Sequence, residues 1–212
     1  MESSLKRLIS IASPELCKEL PRLTRGLLEL AGSSSQKIIE VLHHKNGFYA
    51  FESALHFLPA GCQASCIDLE SWNRDDSWRK GYEDDARGYL FFAEDIFGVQ
   101  FALSKRGIHK FDPETGEIED FTSTIDEWAT RILEDYEYET GYPLAKEWQA
   151  KHGALPLGKR LLPKIPFVLG GEYKVENLYA ADALKGMEFR ADMWRQIRDL
   201  PDGSEIKIRI VE

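Results

Sequence analysis

The chain is poor in the devices that staple, anchor or subdivide a fold. It holds three cysteines, Cys17, Cys62 and Cys66, an odd and sparse set that suits a reducing compartment better than a disulfide framework. No apolar run approaches the roughly 20 residues that a membrane-spanning helix requires. The opening stretch MESSLKRLISIASPE carries Lys6 and Arg7, but the apolar segment after them is short and broken by Ser10 and Ser13. No signal peptide is expected, and cytoplasm is the default location. Repeats, low-complexity tails and linkers are missing as well. A single domain over residues 1–212 is expected, with 1–35 as a helical N-terminal extension.

Positive charge is in deficit. Lysine and arginine number 27 against 36 aspartates and glutamates, a formal charge of −9, and the isoelectric point is near 5.2. Such a field repels nucleic-acid phosphates and anionic lipid, and it steers a basic partner toward the surface. The hydrophobic content of 43% and mean hydropathy of −0.38 are ordinary for a soluble globular protein.

Catalytic motifs are also wanting. There is no G-x-S-x-G elbow, and His43, His44, His109 and His152 have no glutamate at a metallohydrolase spacing. Cys62 and Cys66 with nearby His56 offer three metal ligands, whereas structural zinc wants four, so the cysteines read as small buried or half-buried residues. The stretch GALPLGK, 153–159, has the glycine and lysine spacing of a phosphate-binding loop. Arg160 nevertheless stands where a hydroxyl would hold magnesium, Pro156 removes an amide from the cradle, and the preceding segment reads as helix. A plain basic loop is the better reading. Gly170-Gly171 needs only a turn. No cofactor, metal or enzymatic activity is expected.

What the chain does have is an aromatic stretch, 91–121. Phe97, Val99, Phe101 and Leu103 alternate with Gly98, Gln100, Ala102 and Ser104, the period of a half-buried strand. Strand-like runs at 89–93 and 108–111 flank it, and Asp112-Pro113-Glu114-Thr115-Gly116 supplies a hairpin turn before a strand at 117–121. An antiparallel meander follows. Around it, Ser13-Pro14-Glu15 reads as the start of a helical run over 16–30 that Pro21 either splits into two short helices or kinks, and a further helix covers 36–44 up to Asn46-Gly47. A short strand is expected at 48–51. Thr124-x-x-Glu127 reads as a capping box opening a helix that buries Ile125, Trp128, Ala129, Ile132, Leu133 and Tyr136 and exposes Asp126, Glu127, Glu134, Asp135 and Glu137. A helix over 144–152, an extended edge at 161–168, a buried strand at 177–181, a final helix capped by Asp182 and a last strand at 206–210 complete the reading. The fold class is α+β, a mostly antiparallel twisted sheet packed by several helices.

The least regular segment, 58–87, carries Trp72, Trp78 and Tyr82 among Asp75, Asp76, Glu83, Asp84 and Asp85. It reads as a surface element with a few anchoring aromatics. These acids, with Glu134 and Asp135, are either solvated faces or an acidic patch that contacts a cationic partner through the three aromatics.

The order of these features resembles the SUKH superfamily, in particular the branch named after the yeast cell-wall-synthesis regulator Smi/Knr. The carrying stretches are the helix, Asn46-Gly47 and aromatic strand, then FFAEDIFGVQFAL, the DPETGEI hairpin, PKIPFVLGGEYKVENLYAAD and the closing helix ending in LPDG. Together they cover roughly 36–211. The resemblance implies an α+β domain without enzymatic activity or fixed catalytic residues. Bacterial members are largely immunity proteins that bind and neutralise a toxin, often one directed at nucleic acid; fungal members are regulatory adaptors with disordered arms. The lack of such arms favours the bacterial type. The expected partner is therefore a basic toxin domain, with neither nucleic acid nor membrane bound. An adaptor module and an unrecognised enzyme using acidic residues are the alternatives.

Overall fold

The structure, a computed structural model, describes residues 3–62, 67–201 and 203–204. Six strands, β1 (Phe48–Ala50), β2 (Leu55–Phe57), β3 (Leu90–Glu94), β4 (Gln100–Ser104), β5 (Gly107–Phe111) and β6 (Ile118–Thr122), pair antiparallel in sequence order. A separate antiparallel ribbon joins β7 (Lys159–Pro163) to β8 (Leu178–Asp182). The helices are α1 (Ser4–Ile11), α2 (Arg25–Ala31), α3 (Ser35–His44), α4 (Leu69–Trp72), α5 (Ile125–Glu134), α6 (Tyr136–Thr140), α7 (Tyr142–His152) and α8 (Ala183–Ile197). The protein is α+β, with the meander that the aromatic alternation predicts.

The alternation misleads on burial, however, because the sheet is covered on both faces. Phe92 and Phe101 pack on Trp128 of α5, with ring centroids 5.2 and 5.7 Å away. On the opposite face Phe91 meets Trp78 at 4.9 Å, and Tyr82 meets Trp194 of α8 at 5.3 Å. Gln100 and Ala102 are therefore as buried as Phe101 and Leu103, and the expected half-buried strand is fully buried. The strand also begins at Gln100, not Phe97. Oδ1 of Asp95 accepts the amides of both Phe97 and Val99 at 2.8 Å, and Gly98 takes a φ of 79°, so these residues form a turn. The Asp112–Gly116 turn forms as expected: Gly116, at a φ of 72°, donates to the Asp112 carbonyl.

The N-terminal segment departs from expectation. Residues 13–24 are not helical. Pro14 and Pro21 withhold amides, and the amides of Ser13, Leu16 and Cys17 donate instead to the carbonyls of Tyr49, Gly47 and Asn46. Helix lies on either side, with α1 capped by Ser3 and α2 by Thr24. Leu5, Leu8 and Ile9 of α1 join the same core as the sheet, and the Lys45 ammonium caps the end of α1 on the Ile9 and Ser13 carbonyls at 2.8 and 2.9 Å.

Asn46, expected as a helix stop, is a buried clamp. Its amide donates to the carbonyls of Glu19 and Ala60, both at 2.9 Å, and its Oδ1 accepts the Ala60 amide at 2.8 Å. This brings residue 17 beside residue 62, and Cys17 is bonded to Cys62 with Cα atoms 5.8 Å apart. This disulfide is one that the odd, sparse cysteine set did not lead one to expect. Among the described residues no helix is long and apolar enough to cross a membrane.

Later elements follow the sequence more closely. Thr124 caps α5 by accepting the Glu127 amide, although Glu127 reaches back to the amide of Ser123 instead of the cap. Helix α7 starts at Tyr142 with Pro143 in its first turn, and Asp182 caps α8 through the Lys185 amide. The strand expected to be buried at 177–181 is only partly so: Leu178 is buried and Tyr179 exposed, since α8 packs on the two-stranded ribbon from one side. The expected strand at 206–210 lies outside the described residues.

Candidate functional site

The three aromatics expected as partner anchors are interior residues. Trp72, Trp78 and Tyr82 are at most 1% exposed. The indole N–H of Trp72 donates to Gln100 Oε1 at 2.8 Å, that of Trp78 to the Trp72 carbonyl at 2.9 Å, and the Tyr82 hydroxyl to the Pro113 carbonyl at 2.6 Å. Asn73 fastens the segment to β3 by exchanging hydrogen bonds with the backbone of Phe91, 2.8 Å in each direction. Few helical residues made 58–87 look like surface, but its aromatics are one wall of the core.

The acids of that segment do stay outside. Asp75, Asp76, Glu83, Asp84 and Asp85 are exposed, yet most face a cation: Asp76 with Arg74 at 2.6 Å, Asp84 with Arg87 at 2.8 Å, Glu83 with Arg198 at 3.1 Å, and Asp75 with Arg79 at 3.7 Å. Their field is largely cancelled locally. Glu134 and Asp135 are exposed at the junction of α5 and α6.

A different acidic surface stands out. The Asp95 turn, the far ends of β5 and β6, α6 and the loop before β8 enclose a cleft of about 660 Å³. Its carboxylates are Asp95, Asp112, Glu117, Glu119 and Glu137; its aromatics are Phe97, Tyr138 and Tyr173; its cation is Lys110. That lysine is already committed to Glu139 at 2.9 Å, an acid that also holds Arg131 at 2.8 Å. Tyr138 and Tyr173 are 76% and 64% exposed, so the rim offers aromatic surface as well as negative charge. A smaller cavity of about 270 Å³ adjoins it, lined by Glu114, Phe167 and the guanidinium-bearing Arg190 of α8. Gly141 closes the wall so tightly that a Cβ there would lie 2.4 Å from the Phe97 ring.

Burial governs the electrostatics. Asp95 is raised to about 7 by desolvation, which Lys110, the Val99 and Phe97 amides and Arg190 only partly offset. The neighbouring Glu94 behaves oppositely. Burial alone would raise it, but Arg160, 2.8 Å away, and the hydrogen bond from His56 bring it down to about 2. His56 itself is pushed down by burial. This Glu94–Arg160–His56 cluster, joined by Gln100, is an interior network.

It also takes up residues of two motifs, of which Cys66 lies outside the described residues. Arg160, at the hydroxyl position of the phosphate-loop pattern, lies inside β7 and faces Glu94, while His56 and Cys62 are engaged by Glu94 and Cys17. Among the described residues no group of three histidine, cysteine or acidic side chains is placed to hold a metal ion.

Of the cleft residues, sequence reasoning placed only Glu137 on an exposed acidic face. The missed signal was the carboxylate density of DPETGEIED, 112–120, which holds Asp112, Glu114, Glu117, Glu119 and Asp120. It was read as turn and strand, and strand alternation sends Glu117 and Glu119 to one side.

No model of a protein family matches the chain, and no curated protein matches it. Among solved structures, the chain is similar to the crystal structure of Atu4351 from Agrobacterium tumefaciens. The two share 13% identity and a TM-score of 0.57, over 90% of this chain and 87% of that one. At that identity the likeness is one of fold.

Proposed function

We propose that this chain is a non-catalytic protein-binding domain that docks a basic protein, most specifically a SUKH-type immunity protein that neutralises a toxin directed at nucleic acid. The observation that carries the docking half is the cleft, where Asp112, Glu117, Glu119, Glu137, the carboxyl of Asp95 and two exposed tyrosines surround a lysine already committed to Glu139. A toxin that handles nucleic acid is basic where it binds phosphate. An acidic, aromatic-rimmed concavity on a chain of charge −9 is complementary to such a surface. The toxin half rests on the resemblance of the sequence to the SUKH superfamily.

The test is capture of partners by the tagged chain from native lysate at low and raised salt, followed by expression of each retained protein with and without this chain. A basic partner that is toxic alone and harmless in its presence supports the reading. A non-toxic partner moves it to the adaptor role, and retention of nucleic acid or vesicles instead of protein overturns it.

A further inference from the structure

We infer that the cleft is a socket for one arginine side chain of the partner, with Asp95 as its floor and Tyr138 and Tyr173 as its flanks. This deepens the docking reading and rests on the partner being a basic protein. Asp95 lines the cleft and is only 6% exposed. Its Oδ1 takes the amides of Phe97 and Val99, and among the described residues no donor reaches Oδ2. The two nearby cations are otherwise engaged. Lys110 is held by Glu139, and Arg190 donates to the Phe97 carbonyl and to the Met187 sulfur. Asp95 is thus held by two backbone amides at the cleft wall, where a charged donor entering the cleft can replace the water that reaches its second oxygen.

The aromatic walls choose between cations. Tyr173 stacks on Phe167 with ring centroids 3.9 Å apart and meets Phe97 edge-on at 5.9 Å, and Tyr138 lines the same cleft with its ring 5.8 Å from the Lys110 ammonium. A guanidinium is planar, weakly hydrated and able to stack on a ring while its fork meets a carboxylate; an ammonium is compact and strongly hydrated. Arginine therefore fits this combination better than lysine.

The experiment is an amide NMR titration of the full chain with N-acetyl-arginine methylamide, and in parallel with its lysine and neutral citrulline counterparts. The arginine compound is expected to shift the amides of Val99, Lys110, Gly141 and Tyr173 saturably. Loss of a charge-assisted hydrogen bond makes Asp95→Asn bind at least about tenfold more weakly. Asparagine keeps the oxygen that holds the turn. Tyr138→Ala, at an exposed position, is expected to weaken binding by about threefold without touching the core. Equal shifts with citrulline, equal affinity for lysine, undiminished binding by Asp95→Asn and Tyr138→Ala, or shifts centred elsewhere would each overturn the socket. A captured basic partner that binds Asp95→Asn as tightly as the native chain ends this inference but leaves the docking reading standing. Specific arginine binding in the cleft, with only non-basic partners captured, keeps the socket and removes that reading.

Discussion

At the scale of single residues, buried polar groups hold this protein in register. Arg160 and Glu94 are 1% and 2% exposed and pair at 2.8 Å. Removing one member strands the other, so Arg160→Met is expected to cost about 3–5 kcal/mol in urea denaturation. Glu94→Gln combined with Arg160→Met is expected to recover much of that loss, which a double-mutant cycle reads directly. Protonation supplies a second prediction. Glu94 titrates at about 2 in the fold against an ordinary 4.5, so its contribution is present above 4.5 and lost as pH falls toward 2. Asp95 has the opposite sign. Its folded value of about 7 exceeds the ordinary 3.8, so the folded state holds the extra proton between them and stability declines as pH rises through that window. Asp95→Asn is expected to flatten the decline when urea midpoints are measured between about pH 4 and 7, and an unchanged slope would remove Asp95 as its source.

At the scale of elements, the segment between β2 and β3 matters most. Its described residues hold a single turn of α-helix, α4, and the 3₁₀ turn Trp78–Tyr82, yet it seals one face of the sheet. Trp78 touches Trp72, Tyr82, Phe91 and Phe111. Trp78→Ala is thus expected to lower stability by about 3–5 kcal/mol, the range for truncating a fully buried aromatic. A partner-contact residue would lose affinity with its unfolding midpoint unchanged, so thermal denaturation beside a binding assay separates the two roles.

At the scale of the whole molecule, charge distribution matters more than total charge. Two acidic surfaces differ in how their charge is compensated. Along 74–87 the acids meet arginines, while Glu117, Glu119 and Glu137 line a cleft whose lysine is committed elsewhere. Replacing these three glutamates by glutamine is expected to slow association with a basic partner about tenfold at low salt. Neutralising Asp75, Asp76, Asp84 and Asp85 is expected to have a smaller effect in the same stopped-flow experiment. The reverse order would move the interface to the 74–87 surface, and a rate insensitive to salt would remove steering altogether.

The sequence by itself determined the local features. Phe101 and Leu103 alternate into a strand, Asp112–Gly116 turns, Thr124 and Asp182 cap their helices, and the net charge has its sign, because each depends on residues within a few positions or on a simple count. Tertiary structure alone decided what lies over the second face of the sheet, and hence that Trp72, Trp78 and Tyr82 are core. It also decided that Cys17 meets Cys62 and that Asp95, Glu119, Glu137 and Tyr173 share one cleft. Those outcomes join residues far apart in the chain, Tyr82 to Trp194 and Asp95 to Tyr173 among them. Periodicity shows which residues seek burial or a face, but the partner across the gap is chosen only when distant segments pack.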